Sequence, residues 1–191
     1  MTKNITESLA QMIEKGNEGL PLKSDVVKVG FKRLSDTAVI PTRAHESDSG
    51  FDLVANEDVI IEPGETKVIP TGIAVNLPAG YEAQVRPRSG VTAKTKLRVQ
   101  LGTIDNGYTG EVGVIVDNIA QDFNVRSRRY FTIGGKMEEA PPTTEYSTYL
   151  IRKGEKIAQL VVQHLPQINA EEVHNLGETK RGDAGFGSTG I

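Results

Sequence analysis

The sequence predicts an all-β domain, a sandwich or a barrel. Three observations carry this: short β-branched runs, turns built on Gly and Pro between them, and almost no helical spacing beyond residue 25. Val26-Val27-Lys28-Val29-Gly30-Phe31 opens the series. Val59-Ile60-Ile61 leads into the turn Glu62-Pro63-Gly64-Glu65, and Lys67-Val68-Ile69-Pro70 follows. Gly72-Ile73-Ala74-Val75-Asn76-Leu77 is next, then the turn Pro78-Ala79-Gly80 and the run Tyr81-Glu82-Ala83-Gln84-Val85. Residues 97–101, 110–117 and 157–163 complete the set. Helical spacing occurs once, in Ile5, Leu9, Met12 and Ile13. Residues 1–25 therefore read as a loosely docked extension with a short amphipathic helix, broken at Asn17-Glu18-Gly19-Leu20-Pro21.

Composition narrows the function. The chain has 191 residues, 37% hydrophobic and 25% charged, which suits one domain with a sizeable core. No apolar run is long enough to span a bilayer, and residues 1–15 lack a signal-peptide core. A net charge of -3 without a basic stripe argues against direct nucleic-acid binding. The absence of cysteine excludes disulfides, thiolate metal sites and thiol nucleophiles. His45, His164 and His174 are scattered, which gives a histidine metal site little support.

Two segments break the strand rhythm. Residues 121–149 are polar and irregular and read as an insertion, either a surface for a protein partner or a small satellite hairpin folded over the barrel with its aromatics as a mini-core. Arg126, Arg128 and Arg129 are its basic part, Glu138, Glu139 and Glu145 its acidic part, and Tyr130, Phe131, Tyr146 and Tyr149 its aromatic part. Residues 177–191 are rich in Gly and poor in core formers, so they read as a flexible arm. Residues 26–176 are then the β-domain that carries the insertion.

Five short motifs hold the chemistry. Asp52, beside the apolar Phe51 and Leu53, is a candidate anchor for a hydrated metal ion. Arg88 offers a forked donor to phosphate oxygens, Ser89 a hydroxyl, and Gly90 room for close approach. Gly102, Thr103 and Ile104 lead to Asp105 and the Asn106-Gly107 turn, with Tyr108 beyond it. Such a hairpin can present backbone N–H and C=O groups to a planar base, with Asp105 placed to orient a water. Gln159 is polar inside an apolar run, so it requires a specific partner. Arg181, Phe186, Gly187, Ser188 and Thr189 lie in the Gly-rich arm, where backbone amides can wrap a phosphate. It lacks the Gly-Lys-Ser/Thr core of a P-loop. Taken singly, each motif also has a plain reading: a surface turn, a solvated basic loop, a disordered tail.

In order, these motifs resemble the five motifs of the trimeric dUTPase family. They are Ser49-Gly50-Phe51-Asp52-Leu53, then Pro87-Arg88-Ser89-Gly90, then 102–111, then 154–160, then 181–190. The resemblance implies a jelly-roll β-barrel, a homotrimer with active sites shared among subunits, and hydrolysis of dUTP to dUMP and pyrophosphate. That activity limits uracil in DNA and supplies dUMP for thymidylate synthesis. It further implies that Asp105 activates the attacking water and that Tyr108 stacks under the deoxyribose. The backbone of Gly102, Thr103 and Ile104 would read uracil. Arg88, Ser89 and Gly90 would hold phosphates with the support of Gln159, and Asp52 would bind Mg²⁺ through water. Arg181, Gly187, Ser188 and Thr189 would close over the distal phosphates and Phe186 over the base. A cytoplasmic setting, in a bacterium or a phage-infected host, goes with this activity, as does the absence of membrane and nucleic-acid partners.

The chain departs from the family pattern at Val99, where many members have Asn, and at Thr109, where many have Arg. The insertion resembles that of dUTPases from phages of Gram-positive bacteria. Some of these bind regulatory proteins, which makes 121–149 a candidate docking surface. Two other readings compete. A dCTP deaminase of the same fold would lack the Phe-bearing arm. A regulatory protein using dUTP occupancy as a switch is compatible with catalysis. A third, a catalytically dead module, conflicts with the intact Asp105, Tyr108, Arg88 and Arg181.

Overall fold

The computed structural model describes residues 26–122 and 124–184. The expected helix at 4–15 and the arm residues Phe186, Gly187, Ser188 and Thr189 lie outside the described residues.

Thirteen strands and one short helix are described. The strands are β1 (Gly30–Arg33), β2 (Phe51–Val54), β3 (Val59–Ile61), β4 (Thr66–Ile69), β5 (Ile73–Asn76), β6 (Tyr81–Pro87), β7 (Leu97–Val99), β8 (Gly102–Ile104), β9 (Val114–Asn118), β10 (Arg126–Thr132), β11 (Met137–Glu145), β12 (Tyr149–Ile151) and β13 (Lys156–His164); α1 is Ser89–Lys94. The strand runs read from the sequence form the framework, shifted by a few residues at their ends. The fold is all-β, as expected.

Four ladders surround one core, in the orders β1-β5, β11-β10-β12-β3, β2-β13-β6-β8 and β4-β9-β7. All pairings are antiparallel except β10 with β12. Alternation along the strands supplies the core. Leu53, Ile61, Ile69, Leu97, Val114, Val116, Ile151, Ile157 and Leu160 are all buried and belong to a single cluster. Asn118 is buried among them because its amide donates to the carbonyls of Ile61 and Ser147 at 3.0 and 2.8 Å. A buried amide with both hydrogens paired carries little desolvation penalty.

Two local features differ from the strand pattern of the sequence. Residues 89–94, to which the sequence reading assigns no element, form α1. Val91 is buried and pulls this segment onto the core, and Thr95 closes it by donating its hydroxyl to the Val91 carbonyl at 2.7 Å. The run 97–101 ends at Val99, and Gly102–Ile104 is a separate strand that joins a different sheet.

The insertion is more regular than its polar composition suggested, and it takes the hairpin form that was one of its two readings. β10 and β11 form a hairpin with a register shift between Ser127 and Arg129. The ring of Phe131 meets Tyr146 edge-on at 5.4 Å and Tyr149 at 5.9 Å. The aromatics read as surface are thus in part the hairpin's attachment to the domain.

Candidate functional site

The sheet β2-β13-β6-β8 builds the site. Gln159 on β13 lies opposite Asp52 of β2 on one side and Arg86 of β6 on the other. That register sets the first, fourth and second motifs in one row. Gln159 donates its amide to the carbonyl of Pro87 at 3.0 Å, the partner that its place in an apolar run required. Arg88 follows β6 directly, in extended conformation at the N-cap of α1.

Asp52 is the hub of the row. Its Oδ1 accepts from Nη1 of Arg88 at 2.7 Å, and its Oδ2 pairs with Nζ of Lys156 at 2.7 Å. The Asp52 side chain is 15% exposed, that of Arg88 33% and that of Lys156 50%. Asp52, Arg88, Ser89, Lys156, Gln159, Asp48 and Gly50 line one polar pocket of about 430 Å³. The expectation of a phosphate- and metal-facing cluster placed Asp52, Arg88, Ser89 and Gln159, and the structure brings these four together.

Lys156 is the member that sequence reasoning missed. Three residues before Gln159, it belongs on the opposite face of a regular strand. A register shift between Lys156 and Ala158 inserts one extra residue against β2. The bulge turns Lys156 to the face of Gln159, while Ile157 and Ala158 are both buried. No pattern in the sequence marks that shift.

The third motif stands apart. Asp105 accepts from the amide of Tyr108 at 3.1 Å, and Gly107 takes φ 93°, the left-handed conformation this turn needs at its third residue. Asn106 keeps negative φ and pins the turn by donating to the carbonyls of Leu77 and Pro78 at 2.7 and 3.0 Å. The two arms of the turn do not pair with each other. Gly102–Ile104 pairs with β6, and Glu111 bridges Ala74. The Tyr108 hydroxyl donates to the Glu111 carbonyl at 3.0 Å, and the ring folds over Gly110, where a Cβ would collide with it. Gly102, Thr103, Ile104, Asp105, Tyr108 and Glu111 line a second pocket of about 220 Å³. Glu111, also given no role beforehand, fixes this pocket's floor by accepting from the Gly72 amide at 2.6 Å.

The two pockets share no residue. β8 runs antiparallel to β6 with Gly102 beside Val85 and Ile104 beside Ala83, so it carries Asp105 away from the Pro87 end. Ile104, level with Ala83, already stands four residues of strand from Pro87, about 13 Å. Arg181 lines neither of these two pockets. It donates to the carbonyl of Ala184 at 2.9 Å, on an exposed segment.

A third cluster ties the insertion to the site's rim. Arg152, just before the turn that leads to Lys156, binds Glu138 of β11 and Asp58. Asp58 also accepts from the amide of Lys153 at 2.8 Å. That amide and then the Arg152 guanidinium hold the Asp58 carboxyl below its ordinary range. Glu138 and then Asp58 push Arg152 the other way, above its ordinary value.

Comparison with known proteins gives the family. The family model described as dUTPase matches residues 36–131 and 144–190, and passes over 132–143 at the tip of the hairpin. A deoxyuridine 5'-triphosphate nucleotidohydrolase of Clostridioides difficile is 43% identical over 162 residues, 84% of this chain and 96% of that protein. The protein of the same name from Gloeothece citriformis is 38% identical over 167 residues, 86% of this chain and 98% of its own length. Among solved structures, a Staphylococcus bacteriophage 80alpha dUTPase with dUpNHpp superposes with TM-score 0.81 at 34% identity, covering 86% of this chain and 99% of its own. A dUTPase from phage phi11 of S. aureus, described with a structural Mg(II) ion, gives 0.75 at 34% identity, covering 79% of this chain and 99% of its own. With matches that extend over most of the chain in sequence and in fold, this chain belongs to the dUTPase family.

Proposed function

We propose that this chain hydrolyses dUTP to dUMP and pyrophosphate as a homotrimer with shared active sites. The observation that carries the reading is the Asp52 pocket, where a carboxylate, a guanidinium, an ammonium and a hydroxyl converge at the end of one sheet. A triphosphate presents the complementary charge. Arg88 and Ser89 hold phosphate oxygens, and Gln159 keeps the Pro87-Arg88 backbone in place. Gly90 has open space where a Cβ would stand, so a phosphate can come close to the backbone there.

Mg²⁺ fits the donor set. Among the described residues no group of three or more His, Cys, Asp or Glu could cage a metal. Two carboxylates, Asp48 and Asp52, on a polar pocket suit an ion that keeps most of its waters and takes the rest of its ligands from substrate phosphates. Asp52 would hold it through water. When bound, the ion would neutralise triphosphate charge and polarise the phosphoryl oxygens.

The turn at 105–108 supplies recognition and the base. The amides and carbonyls of Gly102, Thr103 and Ile104 read the uracil edge, with Thr103 exposed beside the pocket. Tyr108 packs against the deoxyribose and leaves no space for a 2′-hydroxyl. Asp105 orients the attacking water and takes its proton. Arg181, Phe186, Gly187, Ser188 and Thr189 close over the nucleotide from the arm 177–191 and exclude bulk water.

The separation of the two pockets within one chain motivates the trimer. The exposed apolar Val68, Leu101 and Ile115 near β4, β8 and β9 offer surface for a neighbouring copy. Incubation with dUTP and Mg²⁺ followed by product identification tests the activity: dUMP and pyrophosphate support it, while dUDP, phosphate or ammonia contradicts it. Mixed trimers test the sharing. If Arg88 and Asp105 of one site belong to different subunits, combining inactive Arg88→Ala and Asp105→Asn chains restores activity. If they belong to one subunit, it does not.

A second reading concerns the insertion at 121–149, which we propose as a docking surface for a regulatory protein. Val125, Met137 and Tyr146 are exposed there beside the exposed Arg128 and Arg129, a mixture that interfaces favour. The 80alpha enzymes are described as controlling transfer of virulence genes. The setting we assign is the cytoplasm of a bacterium or an infected host. No helix among the described residues is long and apolar enough to cross a membrane.

A further inference from the structure

We propose that Lys156 is a positioning residue that holds the place of the divalent cation at Asp52 and gives it up when metal and nucleotide arrive together. The inference rests on the reading of Asp52 as the metal-water anchor.

Two cations share the Asp52 carboxylate, one on each oxygen, both at 2.7 Å. They are not equivalent. Arg88 sits at the cap of α1, is the less exposed of the two, and has further N–H donors free for phosphate. Lys156 is half exposed and stands at the first position of β13, two residues past the Gly154 turn. Its long stem can swing toward solvent or toward phosphate without moving backbone. Of the two partners, Lys156 is the one that can leave.

Charge makes leaving necessary. Asp52, Arg88 and Lys156 together carry one net positive charge, which Asp48 on the same pocket brings to zero, and an ion of charge two placed beside Asp52 still meets repulsion from the two cations that flank it. Moving the Lys156 ammonium away removes the mobile half of that repulsion. In the absence of metal the same ammonium keeps Asp52 turned into the pocket and paired. The β-bulge between Lys156 and Ala158 exists at the one place that turns this lysine to the Gln159 face. A lysine that served only as a surface solubiliser would not require it.

The test compares Lys156→Met, Lys156→Gln and Lys156→Arg with the wild type in the full chain. Free Mn²⁺ is read by electron paramagnetic resonance in the presence of the imido analogue dUpNHpp, alongside the Mg²⁺ concentration that half-saturates dUTP hydrolysis. Exposed ion pairs are weak, so removal of the competitor is expected to tighten metal binding by about threefold to tenfold. The half-saturating Mg²⁺ falls in parallel, and KM for dUTP at saturating Mg²⁺ stays unchanged. Lys156→Arg keeps the competitor and behaves as the wild type. Unchanged or weaker metal binding in both Lys156→Met and Lys156→Gln overturns the proposal. So does a raised KM at saturating Mg²⁺, which makes Lys156 a phosphate ligand instead. The underlying reading fails separately: if Asp52→Asn binds Mn²⁺ with the analogue as tightly as the wild type, Asp52 is no anchor and the proposal falls with it.

Discussion

The Cβ that Gly50 lacks would stand 2.6 Å from Oε1 of Gln159 and 3.0 Å from its Cβ. Gly50 precedes β2 and Gln159 is on β13, so the first and fourth motifs interlock by packing as well as by their shared pocket. The glycine is required for close approach, and what approaches is the side chain that fastens Pro87.

Gly50→Ala therefore forces Gln159 aside. Overpacking of this kind costs about 1–3 kcal/mol. Thermal melting should show the loss, and dUTP turnover should fall with it because the Pro87 carbonyl loses its donor. An alanine variant with wild-type melting and turnover would show that Gln159 has room to spare.

Asp105→Asn should leave the fold and dUTP binding nearly intact and remove most turnover. Asp105 is exposed on a turn fixed by Asn106 and Gly107, so the amide changes no packing. Loss of a general base costs about 10²–10⁴ in rate. Near-normal kcat in this variant would place the base elsewhere.

Deleting 178–191 should preserve the oligomer and cripple catalysis. Residues 166–184 are exposed and contribute nothing to the core cluster. Light scattering and activity on the truncated chain decide this. Dissociation to monomers would make the arm structural.

The insertion should tolerate loss of most of its outer strand but not wholesale removal. Replacement of 133–143, the hairpin turn and most of β11, by a short turn is expected to spare the domain fold and activity, in line with the family match that passes over 132–143. Replacement of 121–149 removes the buried Ser147, Thr148 and Tyr149 and takes from the Asn118 amide one of its two acceptors, leaving that to Ile61. A buried N–H left without its acceptor costs about 1–3 kcal/mol. The hairpin's anchor also titrates. Asp58 has a depressed pKa, so its contribution is whole above the ordinary carboxylate range and is lost as pH falls below about 4. Protection factors of amides in 126–145, each referred to the intrinsic exchange rate at its pH, should fall over that acid range by more in the wild type than in Asp58→Asn. An equal fall in the two proteins would contradict it.

Much of this was legible in the sequence, for identifiable reasons. Strand runs such as 59–61 and 81–85 announce themselves because burial imposes alternation and glycine or proline marks their ends. Asp52, Arg88, Ser89 and Gln159 were found as polar residues in short motifs, and the register of β13 gathers them. Lys156 was hidden because a bulge inverts the face on which period-two reasoning puts it. The helix at 89–94 was hidden because a single buried Val91 holds it, too little for a periodic signal. The insertion looked irregular because β10 and β11 are largely exposed, so polarity masked their pairing. The distance between Asp105 and Asp52 follows from the direction of β8, which only the ladder reveals.

The measurement that bears most directly on the account is pyrophosphate release from dUTP, dCTP, dTTP and UTP, each with Mg²⁺ and with EDTA. The account predicts efficient release from dUTP alone and only with the metal, because the 102–108 backbone reads uracil, Tyr108 excludes the 2′-hydroxyl, and Asp52 anchors the ion. Comparable turnover of dCTP or UTP, or undiminished turnover of dUTP in EDTA, would contradict it.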